Sequence, residues 1–501
     1  MLVFAPDARA TDAEFTSDTA AQFYDVRSPT GETILMRRRL TTTLGVSAYD
    51  LLKTPPGDPK AADISLRARL RYDADYGASG ATADPTSPGS RNSFVPGFSQ
   101  GAVDLMYAYV EGRRLLKGWL GFKLGRQYVT DALGWWSFDG GAMSLTTPYF
   151  ARLEAYAGFE QRGGMPLSNA RFEADGIWRG NRSNFDPTVR DLYSSFQPSA
   201  AAPAFGAALE STGFTWLHGR LSYRRVYNTG PSNVTAFTSG LYAPAQYDGW
   251  RISSDRLGYA IDATWSGVGG AKGGIVYDFY RTDVTQAYAS IEGYLGSKVT
   301  IGVDYDYYVP SFDGDSIWNF FAGEPMNDIS VRANVDVDRR LSVAGGAHVR
   351  VFTVQTAAYS PTSSSPPPSL NYVPLATYFP TSAQGFDEGG NLSLRWRTGE
   401  TAFGVRGSGN FGKDDGDRVG ADVSCEHVFE TRYVVSGRAG VWQWNDKIRP
   451  DRDATSVNYV AGIGYRFASR AQAMVEWQHD INRLVGQRFR VMAWLTLAVM
   501  K

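Results

Sequence analysis

The chain has 501 residues, a formal net charge of -1, 14% aromatic residues and a mean hydropathy of -0.29. A balanced charge offers no general basic footprint for nucleic acid. No apolar run reaches the roughly 18 residues of a membrane-spanning helix, and the single Cys425 excludes an internal disulfide.

The first ten residues, MLVFAPDARA, end in an A-x-A-like cleavage pattern, so residues 1–10 are expected to be a signal-peptide remnant. Residues 11–501 then read as one unit. Ile64 to Tyr76, ISLRARLRYDADY, places apolar or aromatic residues at every even position and polar ones at every odd position. A period of two is a β-strand, since successive side chains point to opposite faces. Thirteen residues exceed the roughly 5–6 of an average soluble strand and suit a transmembrane strand. The pattern returns at Val299–Val309, Ile329–Val337, Leu341–Val351, Val457–Phe467 and Phe489–Val499. No helical period of any length stands beside it.

Turns fall into two sets. Short ones include HG at 218–219, GSK at 296–298, DRR at 338–340, TGE at 398–400, ETR at 430–432 and ASR at 468–470. Long ones, rich in Gly, Pro, Ser, Asn and Asp, include 77–100, 161–203, 229–253, 310–325, 353–388 and 444–456. Long and short connections alternate in outer-membrane barrels, long ones outside and short ones periplasmic. The expected fold is all-β: a single antiparallel transmembrane barrel of about 18–22 strands in the bacterial outer membrane, bathed in its lipid. At that strand number the lumen holds water.

With apolar faces on lipid, Arg37, Arg39, Arg67, Arg69 and Arg71 point inward from two neighbouring strands. Later strands add Arg332, Arg350, Arg395, Arg397, Arg406, Arg438 and Arg466. Inward acids include Asp104, Glu154, Asp262, Asp278, Asp304, Asp306, Asp336, Asp422 and Glu476. Arginine recognises carboxylate, sulfate or phosphate with a two-pronged geometry, and a focused positive zone in a pore draws anions. The arginines therefore mark a passive pore for an anionic solute. Arg38 and Arg225 fall on the apolar faces, so each either reaches a membrane boundary or sits beside a bulge.

Residues 122–160, FKLGRQYVTDALGWWSFDGGAMSLTTPYFARLEAYAGFE, carry Gly125-Arg126-Gln127, Phe138-Asp139-Gly140 and Glu154-Ala155-Tyr156-Ala157-Gly158. This stretch resembles the alginate-export group of outer-membrane porins. The resemblance implies a monomeric barrel with an arginine-rich constriction that exports an anionic polysaccharide. It makes Arg126 a pore-lining candidate, although Leu120, Phe122 and Leu124 share its parity and a bulge is needed to turn it inward. An exporter of this kind needs a separate periplasmic partner. Loops 310–325, with Trp318, Phe320 and Phe321, and 353–388 are candidate gates. The alternative reading is a diffusion porin or uptake channel for small anionic solutes.

His218, His348, His427 and His479 show no metal-ligand spacing. No nucleophile, base or phosphate-cradling loop is identifiable, so neither an enzyme, a metal nor a cofactor is expected.

Overall fold

The computed structural model describes residues 12–52, 61–75, 102–161, 202–229, 232–238, 241–247, 250–309, 325–357, 380–412, 416–446, 453–484 and 486–500. The strands are β1 (Ala13–Arg27), β2 (Thr33–Ala48), β3 (Asp63–Asp75), β4 (Ala102–Arg114), β5 (Leu120–Asp131), β6 (Gly134–Thr146), β7 (Ala151–Glu160) and β8 (Pro203–Ser211). Then come β9 (Leu217–Asn228), β10 (Ser232–Thr238), β11 (Leu241–Tyr247), β12 (Arg251–Trp265), β13 (Gly269–Asp278), β14 (Asp283–Leu295), β15 (Val299–Tyr308) and β16 (Met326–Asp336). The last are β17 (Leu341–Ala357), β18 (Pro380–Thr398), β19 (Thr401–Gly412), β20 (Gly416–Phe429), β21 (Tyr433–Asp446), β22 (Ala454–Ala468), β23 (Ala471–Asn482) and β24 (Gly486–Met500). Strands β10 and β11 form a separate hairpin, while the other 22 make one antiparallel sheet closed by pairing of β1 with β24.

Closure removes the unpaired edges that lipid forbids. The outer face is apolar and bare, with Leu66, Val303, Ile329, Leu392 and Ile463 all exposed. So much uncovered apolar surface belongs in a bilayer. Near one rim the outer face carries Trp396, Phe403, Phe429, Tyr433, Tyr465 and Phe467. Near the other it carries Tyr277, Phe279, Tyr459, Trp477 and Phe489. These are the aromatic girdles of a barrel in the bacterial outer membrane.

The rim holding Ala13 and Met500 also holds the turns 266–268, 296–298, 337–340, 399–400, 430–432 and 469–470. The opposite rim holds the longest connections, 76–101, 161–202, 229–250, 309–325 and 358–379, and is the external one. Three expectations shift. Residues 218–219 lie inside β9, and the turn is at 212–216. The 353–388 loop shrinks to 358–379, because 353–357 and 380–388 pair as the ends of β17 and β18. External connections are not all long, for 28–32, 132–133, 279–282 and 483–485 are tight. Residues 1–10, 310–324 and 358–379, with Trp318, Phe320 and Phe321, lie outside the described residues.

Arg38 and Arg225 do sit on the outer face. Arg38 lies over the Phe23 ring, 5.6 Å from its centroid. Arg225 donates to the buried Asp255 carboxylate and to the Tyr227 hydroxyl near the external end of β9. Neither needs a bulge of its own strand.

Candidate functional site: the lumen

One hairpin leaves the wall. Strands β5 and β6 pair continuously from Leu120–Leu145 to Asp131–Gly134, but β4 and β5 stop pairing at Ala108–Arg126. The break is Gly125, with φ of 127°, a conformation that L side chains avoid. A Cβ there would lie 2.3 Å from the Ala108 carbonyl oxygen. Beyond this point β5 and the hairpin tip fold into the lumen, while β6 stays paired with β7 up to Phe138–Glu160. Its tip reaches the inner face of β12, where a Cβ on Gly258 would lie 2.7 Å from Leu133 Cδ2. Trp136 and Phe138 stack at 4.4 Å and pack on Tyr156, Ala204 and Val226 of the facing wall. Trp136 Nε1 donates to Glu160 at 2.8 Å, and Arg224 caps the Trp136 ring at 5.1 Å. This aromatic wedge narrows the lumen.

The same break settles the parity conflict at Arg126. Once the hairpin turns in, its former outer face looks across the lumen, and Tyr128 meets the lumenal Tyr107 at 5.9 Å. Arg126 makes a two-pronged pair with Asp139 at 2.7 and 2.8 Å and donates to the freed Leu105 carbonyl at 2.9 Å. It braces the base of the hairpin.

On the β2–β3 ladder, Arg69 and Arg71 are engaged with the wall, whereas Arg67 meets a ring and no carboxylate within 4.0 Å among the described residues. Arg37 pairs with Tyr24 in the backbone register, and Arg39 with Gln22. Arg67 lies over the Tyr49 ring at 5.3 Å. Arg69 holds Asp18 at 2.5 Å and Thr43 at 2.7 Å. Arg71 is only 5% exposed. Elsewhere, Arg332 is bracketed by Glu292 and Asp304, each at 2.9 Å. Arg350 sits between Asp328 at 3.1 Å and Asp387 at 3.6 Å.

Strands β18 to β20 differ. Arg395, Arg397, Arg406 and Arg418 face the lumen and are exposed, and among the described residues no carboxylate lies within 4.0 Å of any of them. Their places in the strands run from the periplasmic rim (Arg397, Arg395) through mid-strand (Arg406) to the external end (Arg418). Midway is a recess of about 460 Å³ lined by His348, Arg350, Arg406, Arg418, Arg438 and Trp442. Arg418 stacks over Trp442 at 4.7 Å, and Arg438 reaches Asp422 only at 3.4 Å. The recess lining holds four guanidiniums against the single carboxylate of Asp422. His348 Nε2 shares a hydrogen bond of 2.9 Å with Asn410, which itself donates to Asp387. The histidine is thus part of a polar brace. Among the described residues no cluster of three or more His, Cys, Asp or Glu is arranged to hold a metal.

Strand parity points Arg395, Arg397, Arg406 and Arg438 inward but weights the β2–β3 ladder more, and Arg224, Arg418, Trp442 and the folded-in hairpin do not stand out in it. A signal was present: the parity conflict at Arg126 directly after a glycine.

No family model matches the chain, and no curated protein matches it. Solved structures with a similar fold include the outer membrane protein OpdK from Pseudomonas aeruginosa, at 10% identity over 98% of this chain and 99% of that one, TM-score 0.41. OccAB4 from Acinetobacter baumannii is similar at 7% identity over 99% and 100%, TM-score 0.42. OccK8 (OprE) from Pseudomonas aeruginosa is similar at 9% identity over 98% of both chains, TM-score 0.40. These three are Opd and Occ outer membrane proteins, and the resemblance to the alginate-export group is withdrawn. Its matching pieces have a local explanation: Gly125-Arg126 and Asp139-Gly140 form the base of the folded hairpin. The export reading, its polysaccharide and its separate periplasmic partner are withdrawn with it.

Proposed function

We propose that the protein is a passive outer-membrane channel for the uptake of small anionic solutes. The carrying observation is the line of acid-free arginines on β18 to β20, running from rim to rim beside a lumen narrowed by the β5–β6 wedge. Paired arginines elsewhere present little net field, whereas unpaired guanidiniums in a confined lumen raise the local anion concentration. They also offer successive two-pronged contacts to a carboxylate, sulfate or phosphate. The proposed pore lining is therefore Arg395, Arg397, Arg406, Arg418 and Arg438, with Arg350 at the recess and the β2–β3 arginines and Arg332 as secondary positions. Strand β1 closes on β24, so one chain makes a complete pore.

The test is the reversal potential of the purified protein in a planar bilayer under a KCl gradient. Anion preference is expected. Replacing Arg395, Arg397, Arg406 and Arg418 together with Ala is expected to bring it close to zero, with heat-modifiable migration of the folded barrel unchanged. A wild-type channel that prefers cations overturns the reading.

A further inference from the structure

We propose that Arg224 is an anion-binding site at the constriction, and that its occupation releases the β5–β6 hairpin from the lumen wall. The proposal rests on the anion-channel reading.

Arg224 is 6% exposed on the lumenal face of β9. Its neighbours on that face are conventionally paired. Arg220 holds Glu154 at 2.6 Å and Glu210 at 2.8 Å. Arg256, opposite Arg224 in the strand register, holds Asp278 at 3.0 Å. Arg224 has no carboxylate within 4.0 Å among the described residues. Its Nη2 donates to the Leu133 carbonyl oxygen at 2.9 Å, its guanidinium covers the Trp136 ring, and its Nη1 has no protein acceptor. A buried charge is costly unless paired and fully hydrogen-bonded. Here it is offset by one carbonyl and one ring face, both belonging to the hairpin.

The part free to move is the tip. Beyond Gly125 the strand β5 has left β4, and β6 leaves β7 beyond the Ser137–Gln161 bond, so that residues up to Asp131 and from Gly134 to Trp136 pair only with each other, above a base braced by Arg126 and Asp139. The tip rests on Arg224 and Gly258. Because the tip covers Arg224, a carboxylate or phosphate engages the guanidinium fully only when Leu133 and Trp136 have moved away. Such an anion binds the displaced state better than the closed one, and that difference is what shifts a conformational equilibrium. An anionic solute thereby opens the constriction it is about to cross, whereas a neutral or cationic one meets it closed.

The experiment uses a tip lock. An added Cβ at Gly258 lies 3.0 Å from Ala132 Cβ, with the flexible Leu133 side chain the main group to give way. That is close to disulfide reach, about 3.5–4.5 Å between Cβ atoms. The full-length variant is Ala132→Cys/Gly258→Cys with Cys425→Ser, recorded in a planar bilayer at constant KCl with sodium acetate as probe. In the wild type, acetate is expected to raise open probability by at least about threefold, as a ligand with unequal affinity for two states does. The oxidised lock is expected to lose that response, and dithiothreitol to restore it. Arg224→Gln is expected to lose it with the barrel still heat-modifiable; if that variant does not fold, the lock decides. An oxidised lock that still responds to acetate overturns the proposal. So does an anion-selective wild type whose open probability ignores acetate. A wild type with no anion preference overturns the uptake reading instead, so the two failures are distinguishable.

Discussion

Leu66 and Arg67 are neighbours on β3 with opposite surroundings. Leu66 is 40% exposed on the outer face, and Arg67 packs over Tyr49 inside. Leu66→Arg is expected to destabilise the barrel by about 2–4 kcal/mol if it lies near the bilayer midplane. Arg67→Leu should cost clearly less, since it opens no lipid-facing charge. Urea titration in lipid vesicles compares the two, and equal costs would mean the faces are reversed. A second residue sets a turn. Asp338, in the periplasmic 337–340 connection, accepts the backbone N–H groups of Arg340 at 2.6 Å and Leu341 at 2.8 Å. Those two bonds hold its carboxyl below the ordinary carboxylate value. A lowered folded value means the contribution is present above the unfolded value, about 3.9, and fades as pH falls through the folded one. Hydrogen exchange at the Arg340 and Leu341 amides should therefore show reduced protection below that range at constant intrinsic rate. Asp338→Asn should remove most of this pH dependence.

At the scale of the element, β5 and β6 serve two roles at once. Strand β5 is barrel wall up to Gly125 and β6 is barrel wall down to Phe138, and their shared tip is a wedge inside the lumen. The change hinges on Gly125, so Gly125→Ala is expected to force either strain or a straighter hairpin. Strain at such a backbone position is worth roughly 1–3 kcal/mol. Conductance and unfolding midpoint measured together read both outcomes, and neither should remain at the wild-type value. The brace at the base is separable from the wedge. A double-mutant cycle of Arg126→Ala and Asp139→Ala is expected to give a coupling of roughly 1 kcal/mol, modest because the pair is partly solvated. Phe138 is fully buried, so Phe138→Ala should cost about 3–5 kcal/mol, far more than breaking that pair. A cost near zero would mean the wedge is not packed on β7 to β9.

Across the whole molecule, guanidiniums held by carboxylates solvate the lumen, and those without carboxylates charge it. Replacing Arg69, which Asp18 holds, with Ala should therefore shift the reversal potential less than replacing Arg406, which no carboxylate among the described residues reaches. The Asp18 carboxylate freed by the first substitution adds a negative charge that partly reproduces the effect, so Asp18→Asn is included with it. Both shifts should shrink at 1 M salt, where the screening length falls to about 3 Å. Equal shifts from the two substitutions would return the emphasis to β2 and β3.

Alternation alone determined the barrel, its lipid face and the lumenal side of most arginines, because a period of two is local and one face must meet hydrocarbon. Strand number was legible to within a few, since the turns at 296–298, 338–340, 430–432 and 468–470 are marked by Gly, Ser, Asp and charged residues. What sequence spacing does not carry is which charges neutralise each other. Arg69 and Asp18 are 51 residues apart and meet only through the register of β1, β2 and β3. Arg220 and Glu154 are 66 apart and meet across β7 to β9. The inward fold of the β5–β6 hairpin left only the parity conflict at Arg126, directly after the glycine at which β5 changes neighbours. Tertiary pairing decided that Asp18 holds Arg69 while no described carboxylate comes within 4.0 Å of Arg395, Arg397, Arg406 or Arg418, because a charge's field depends on what lies within a few ångströms of it in space.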